Sequence, residues 1–150
     1  MDETLKAYFA GIFDGEGCIS VAIGNSGGDM PQLQINVSNQ CRELVTELKK
    51  YYGGSISTQR THFGWSIRNK SAETFLTDIE PYSIIKRNSI KIGIMLASTS
   101  LGRGHATHLS DKERLIRLTL FEALRQAEDL RRSNDKKILE EANAAKLSST

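Results

Sequence analysis

"FAGIFDGEG", residues 9–17, sets Asp14 and Glu16 among Gly11, Gly15 and Gly17 at the point where one periodicity gives way to another. Upstream, Leu5, Tyr8, Phe9 and Ile12 recur at the i, i+3, i+4, i+7 spacing of a helix with one buried face, which predicts a helix over Thr4–Asp14. Ala7, Gly11 and Gly15 recur every four residues on another face, a small-residue stripe that lets two helix backbones approach closely. A mid-helix glycine costs about 1 kcal/mol relative to alanine. Gly11 therefore points to a helix with two buried faces.

Downstream of Gly17 the period becomes two. In "CISVAI" (18–23) Ile19, Val21 and Ile23 alternate with Cys18, Ser20 and Ala22, and in "PQLQINVS" (31–38) Leu33, Ile35 and Val37 alternate with Gln32, Gln34, Asn36 and Ser38. "NSGGD" (25–29) joins them as a hairpin loop. "CRELVTELKKYY" (41–52) reads as a helix with Leu44, Val45 and Leu48 inward, closed by Gly53 and Gly54. A second strand pair follows in "SISTQR" (55–60) and "HFGWSIR" (62–68), the latter with Phe63, Trp65 and Ile67 inward. Helices return at "SAETFLTDIEPY" (71–82) and "IIKRNSIKIGIMLAS" (84–98), with Pro81 at their junction. "TSLGRGHATHL" (99–109) has the composition of a loop. Ser110 and Glu113 form a capping box for a helix through about Arg132, with Ile116, Leu120, Leu124, Ala127 and Leu130 inward. "SND" (133–135) is expected to break it. The expected order is helix, hairpin, helix, hairpin, helices: an α+β fold in one domain over 1–132, with a weakly helical or frayed tail over 133–150.

The 150 residues are 39% hydrophobic and 25% charged, enough for one real core. No run is long enough to span a bilayer and none resembles a signal peptide, so an intracellular protein without a membrane partner is expected, its compartment open. The two cysteines, Cys18 and Cys41, have no paired spacing and are expected to be reduced. His105 and His108 in "HATH" lack the further ligands of a zinc site. A net charge of +2 neither demands nor excludes nucleic acid, so the placement of polar groups must decide.

That placement is uneven. The strand positions facing away from the core are rich in Gln, Asn, Ser and Arg: Ser20, Ala22, Gln32, Gln34, Asn36, Ser38, Ser57, Gln59, Arg60, His62, Ser66 and Arg68. Amide and guanidinium groups make paired contacts with base edges in the DNA major groove, which admits a two-stranded ribbon. A merely polar, solvated sheet face is the competing reading. Lys49, Lys50, Arg60, Arg68, Lys70, Lys86, Arg87, Lys91 and Arg103 are available to hold phosphates. At the end of the first helix, unsatisfied carbonyls make further anions unfavourable. Asp14 and Glu16 thus call for a compensating cation, and a divalent metal held by carboxylate, carbonyl and water oxygens suits the site better than a lysine. Such a metal could bind a phosphate and activate water for attack on phosphorus.

FAGIFDGEG resembles the LAGLIDADG motif of homing endonucleases, with Ala10, Gly11, Asp14 and Gly17 identical and Phe9, Ile12, Phe13, Gly15 and Glu16 conservative replacements. The element order over residues 4–100 also resembles the α-β-β-α-β-β-α order of that family. The resemblance implies a saddle-shaped antiparallel sheet lying in the major groove, with extra C-terminal helices here. It implies that Glu16 binds the catalytic Mg²⁺, with Mn²⁺ or Ca²⁺ able to replace it for binding, and that Gly15 offers its carbonyl. Asn39 and Gln40 are the candidates for organising the active-site water; relatives often carry Gln at that point. Arg42 is a candidate for approaching the scissile phosphate, and Lys86, in "PYSIIK", for stabilising its charge. Ala7, Ala10, Gly11, Asp14 and Gly15 are the expected dimer contacts. With a single motif, the resemblance implies a homodimer that reads a pseudo-palindromic double-stranded DNA site. It implies a double-strand DNA endonuclease encoded by an intron or a free-standing gene. The alternative is a non-catalytic binder on the same fold, an RNA splicing maturase with intron RNA as partner or a DNA-binding regulator.

Overall fold

The computed structural model describes residues 1–23, 31–99 and 109–148. Helix α1 spans Glu3–Glu16 and starts where the Asp2 carboxylate accepts the Leu5 N–H at 2.8 Å. Strands β1 (Gly17–Ile23) and β2 (Pro31–Asn39) follow, then α2 (Arg42–Tyr52), β3 (Ser55–Thr58), β4 (Phe63–Arg68), α3 (Asn69–Ile79), α4 (Arg87–Ser98) and α5 (Asp111–Ser148). The four strands form one antiparallel sheet in the order β1-β2-β4-β3. This is the α+β order expected from the sequence. The expected hairpin loop at 25–29, Arg103 and the two histidines of "HATH" lie outside the described residues.

Register puts the apolar set on one face. Ile19 pairs with Ile35, Val21 with Leu33, Ile35 with Ile67 and Val37 with Trp65. Helices α1, α2, α3 and α4 all contact this sheet, and the core lies between the two layers. Phe75 of α3 is its hub, with ring centroids 5.3 Å from Phe13, 5.2 Å from Trp65 and 5.0 Å from Tyr52. The Trp65 indole N–H donates to the Gly53 carbonyl at 2.9 Å, so the turn after α2 is fastened to the sheet. Gly53 and Gly54 hold φ of 71° and 86°, a region that favours glycine.

The expected faces of α1 are corrected. Phe9, Ala10 and Phe13 form the buried face of α1, with Leu5 and Ile12 at its margins, whereas Tyr8 is 54% exposed. Tyr8 belongs to the same open stripe as Ala7, Gly11 and Gly15, because Phe13 rotates the apolar arc away from it. Ala10 likewise packs into the chain's own core and leaves the stripe that a partner helix could meet.

Helix α5 runs unbroken through Ser133, Asn134 and Asp135. Those residues cost a helix only a few tenths of a kcal/mol each, and side-chain pairs bridge them. Arg131 reaches both Glu128 (3.1 Å) and Asp135 (3.2 Å), and Lys136 and Lys137 pair with Glu140 and Glu141. The capping box is present, the Ser110 N–H donating to Glu113 at 2.8 Å. Of the expected inward line only Leu124 is buried; Leu120 and Ala127 are half-buried, and Ile116 and Leu130 are exposed. The helix rests on α4 along a short stretch, which is why so few of its apolar positions find cover.

Candidate active site

Glu16 is the last residue of α1 and Gly17 the first of β1, so the helix-to-strand change falls inside the motif. Gly17 is required by packing: a Cβ there would lie 2.0 Å from the Phe13 ring. The strand therefore leaves directly over the core, and the Glu16 side chain remains exposed at the sheet's end.

Asn39, the last residue of β2, meets it there. The Asn39 Nδ2 donates to the Glu16 carboxylate, while its Oδ1 accepts the Cys41 main-chain N–H at 2.7 Å. The second bond fixes which end of the amide faces Glu16. Glu16, Ser38, Asn39, Gln40 and His62 line one open pocket of about 400 Å³. Asn39 rather than Gln40 thus holds the carboxylate, although Gln40 shares the pocket wall. Arg42 is exposed at the start of α2 and does not line the pocket.

The two acids have separate surroundings. Asp14 accepts the Ser83 hydroxyl and the main-chain N–H groups of Ile84 (2.7 Å), Ile85 (3.1 Å) and Lys86 (3.1 Å). Burial pushes its carboxyl up, but these four bonds outweigh burial and hold it below the ordinary 3.8. Lys86 is 5% exposed, and its ammonium donates to the carbonyls of Phe13 (2.9 Å) and Asp14. Burial, and then the Arg131 guanidinium, push it below the ordinary lysine range, against Asp14, Glu128 and Cys18. Expected to face the phosphate, Lys86 instead satisfies the carbonyls at the end of α1. Ser83 and Arg131 escaped sequence reasoning; Ser83 sits inside "PYSIIK", while no local pattern links Arg131 to residue 86.

The sheet's outer face carries the polar set. The Gln34 amide donates to Asn36 at 2.7 Å, Asn36 donates to the Ser20 hydroxyl at 2.9 Å, and Arg68 Nε donates to Gln34 at 2.8 Å. Ser66 meets Ser55 at 3.0 Å, and the Ser57 hydroxyl bonds the Gly64 carbonyl. Ser38 and Gln32 share this face by register, as does the backbone position of Ala22. Gln59, Arg60 and His62 do not lie in strands, because β3 stops at Thr58 and β4 begins at Phe63. Gln59 and Arg60 are exposed in the turn between them. Among the basic residues, Lys50, Lys70 and Lys91 pair with Glu47, Glu73 and Glu80.

Ala7, Gly11 and Gly15 are exposed, and a Cβ at Gly11 or Gly15 would meet nothing within 4 Å. No group of three His, Cys, Asp or Glu among the described residues is arranged around a metal. One exposed carboxylate beside the last-turn carbonyl of Gly15 is an oxygen-only donor set. It fits Mg²⁺, which takes one or two carboxylates and fills its remaining positions with water and phosphate oxygens. Both cysteines are free, and no described helix is long and apolar enough to cross a membrane.

A family model described as LAGLIDADG endonuclease matches residues 9–93. Among solved structures, the chain is similar to the homing endonuclease I-CvuI in complex with a target DNA, at 15% identity and a TM-score of 0.67 over 83% of each chain. An archaeal intron-encoded homing endonuclease complexed with DNA aligns at 19% identity and a TM-score of 0.68, over 85% of this chain and 86% of that one. The LAGLIDADG homing endonuclease I-GzeII, in complex with a DNA target, aligns at 19% identity and a TM-score of 0.60, over 80% of this chain and 43% of that one. At these identities the likeness is one of fold.

Proposed function

The chain belongs to the LAGLIDADG endonuclease family, and from that premise we propose that it is a divalent-metal-dependent, site-specific double-strand DNA endonuclease acting as a homodimer. The observation that carries this reading is the exposed Glu16 carboxylate, held by Asn39 in the lining of an open pocket. The adjoining sheet face, with its amide and guanidinium groups already oriented by one another, suits the major groove. DNA in the structures of I-CvuI and of the archaeal enzyme, and Mg and Ca in the two I-CvuI structures, support DNA and a divalent ion as partners.

Glu16 and the Gly15 carbonyl would hold the ion. When bound, Mg²⁺ polarises a phosphoryl oxygen and makes water a better nucleophile. The chain's own work is positional. Asn39 orients the carboxylate, Lys86 fixes the last turn of α1, and Asp14 ties that turn to the segment before α4. The open Ala7, Gly11 and Gly15 stripe lets a second copy bring its own Glu16 close, giving one carboxylate for each DNA strand.

The test is incubation of the purified protein with a randomised double-stranded DNA library, in Mg²⁺ or EDTA, with wild type or Glu16→Gln. Sequenced double-strand ends confined to wild type in Mg²⁺ are expected. Specific DNA binding without cuts under any condition would replace the nuclease by a non-catalytic binder.

A further inference from the structure

His62 lies apart from the sheet face to which the sequence assigned it. The last pair of the β2–β4 ladder is Asn39 with Phe63, so residue 62 falls just beyond the ladder, beside the chain at Gln40. There it joins Glu16, Ser38, Asn39 and Gln40 in lining the same pocket. Its main chain is fixed, because the His62 carbonyl accepts the Gln59 N–H at 2.9 Å and closes the turn. Its ring is anchored on one side, with Nδ1 at 3.2 Å from the Thr61 hydroxyl. Nε2 has no partner among the described residues, and the side chain is half-buried. A histidine whose backbone and one ring nitrogen are held, in a pocket that it shares with an exposed carboxylate, is placed to contact a small ligand.

We propose that His62 is a catalytic residue of the Glu16 site, its Nε2 contacting the scissile phosphate or the water that attacks it. This deepens the nuclease reading and rests on it. Glu16 supplies an acceptor-only group and Asn39 is engaged with it; Ser38 and Gln40 also carry donors there but are exposed, whereas the half-buried His62 ring, held through Nδ1, is preset to donate to a phosphate oxygen or hold a water. A base-reading residue on the sheet would change affinity and sequence preference. A residue at the cleavage site changes the rate on DNA that is already bound.

The experiment has two arms, each with wild type, His62→Ala and His62→Gln. In the first, single-turnover cleavage in Mg²⁺ and DNA affinity in Ca²⁺ are measured on a site recovered from the library. The expected result for His62→Ala is a rate loss on the order of a hundredfold with affinity within about twofold, and partial recovery in His62→Gln, which restores a donor. An unchanged rate, or a loss of affinity with altered base preference, overturns the proposal. In the second arm, Mn²⁺ alone is titrated while the histidine ring resonances are followed, His62 being assigned by its absence in His62→Gln. Broadening of His62 in wild type and its loss in Glu16→Gln are expected; a His62 signal indifferent to Mn²⁺ overturns the assignment. Wild type that cuts nothing would defeat the nuclease reading, while the Mn²⁺ arm still decides whether His62 belongs to the Glu16 site. His62→Gln, matched to wild type by thermal unfolding, guards against loss of fold in His62→Ala.

Discussion

The Lys86 ammonium lies 2.9 Å from the carbonyl oxygen of Phe13, joining residues 73 positions apart at the end of α1. Lys86→Met keeps the apolar stem and removes the donor, leaving the Phe13 carbonyl with only the Gly17 N–H and the Asp14 carbonyl without its lysine. A loss of about 1.5–3 kcal/mol in urea unfolding is expected, the range for a hydrogen bond to a charged group. An unchanged midpoint would show that the end of α1 does not depend on this lysine.

Asp14 gives the fold an acid-sensitive joint. Its folded-state pKa lies below the ordinary 3.8, so its contribution is complete above that value and is lost as pH falls through the folded value. Asp14→Asn should cost about 1–3 kcal/mol at neutral pH. The gap from wild type should close below pH 3.8, a convergence that urea titrations across the acid range would reveal. A constant gap at all pH values would remove the ionised form from the account.

Asn39 bridges Glu16 and the start of α2, and its removal should leave the carboxylate free to rotate. For Asn39→Ala, a cleavage loss of about 10–100-fold is expected, the usual effect of removing a partner of a metal ligand. Half-maximal Mg²⁺ concentration should rise with it. Wild-type rate and Mg²⁺ dependence would leave Asn39 with only its turn-forming bond.

At Gly11 the free chain and the proposed dimer should respond oppositely. A side chain meets nothing within 4 Å in the single chain, so Gly11→Ala should stabilise a monomer by about 1 kcal/mol through helix propensity. Gly11→Leu should keep the fold by circular dichroism yet sediment as a monomer. A dimer surviving Gly11→Leu would move the interface away from α1.

On the sheet, Arg68 and Gln34 act as a pair, since Arg68 holds the Gln34 amide oxygen. Gln34→Ala should weaken binding to the preferred DNA site by about 1–3 kcal/mol and relax preference at the base read there. A uniform loss across all sequences would mark the pair as a backbone contact.

Local pattern specified much of this molecule. Period-two alternation in 18–23 and 31–38 named the buried Ile19, Leu33, Ile35 and Val37, because strand geometry sends alternate residues to opposite faces whatever lies around them. The capping box at Ser110 and Glu113 was equally legible, its partners being three residues apart. Helix faces were less so. Tyr8 and Phe13 are both aromatic and both suit the helix, and only the position of Phe75 decides which of them goes inside. Likewise "SND" looks like a break until the flanking ion pairs are seen in register.

The sequence by itself determined the element order, the polar outer face and the presence of an acid at the end of α1, because each depends on neighbours within a few residues. Only the tertiary structure decided what those groups do. It buried Lys86 against the carbonyls of α1, divided Asp14 from Glu16 by giving each its own partners, and carried His62 from the sheet to the Glu16 pocket. Those outcomes depend on contacts between residues far apart in the chain, whose distances packing sets and local pattern does not encode.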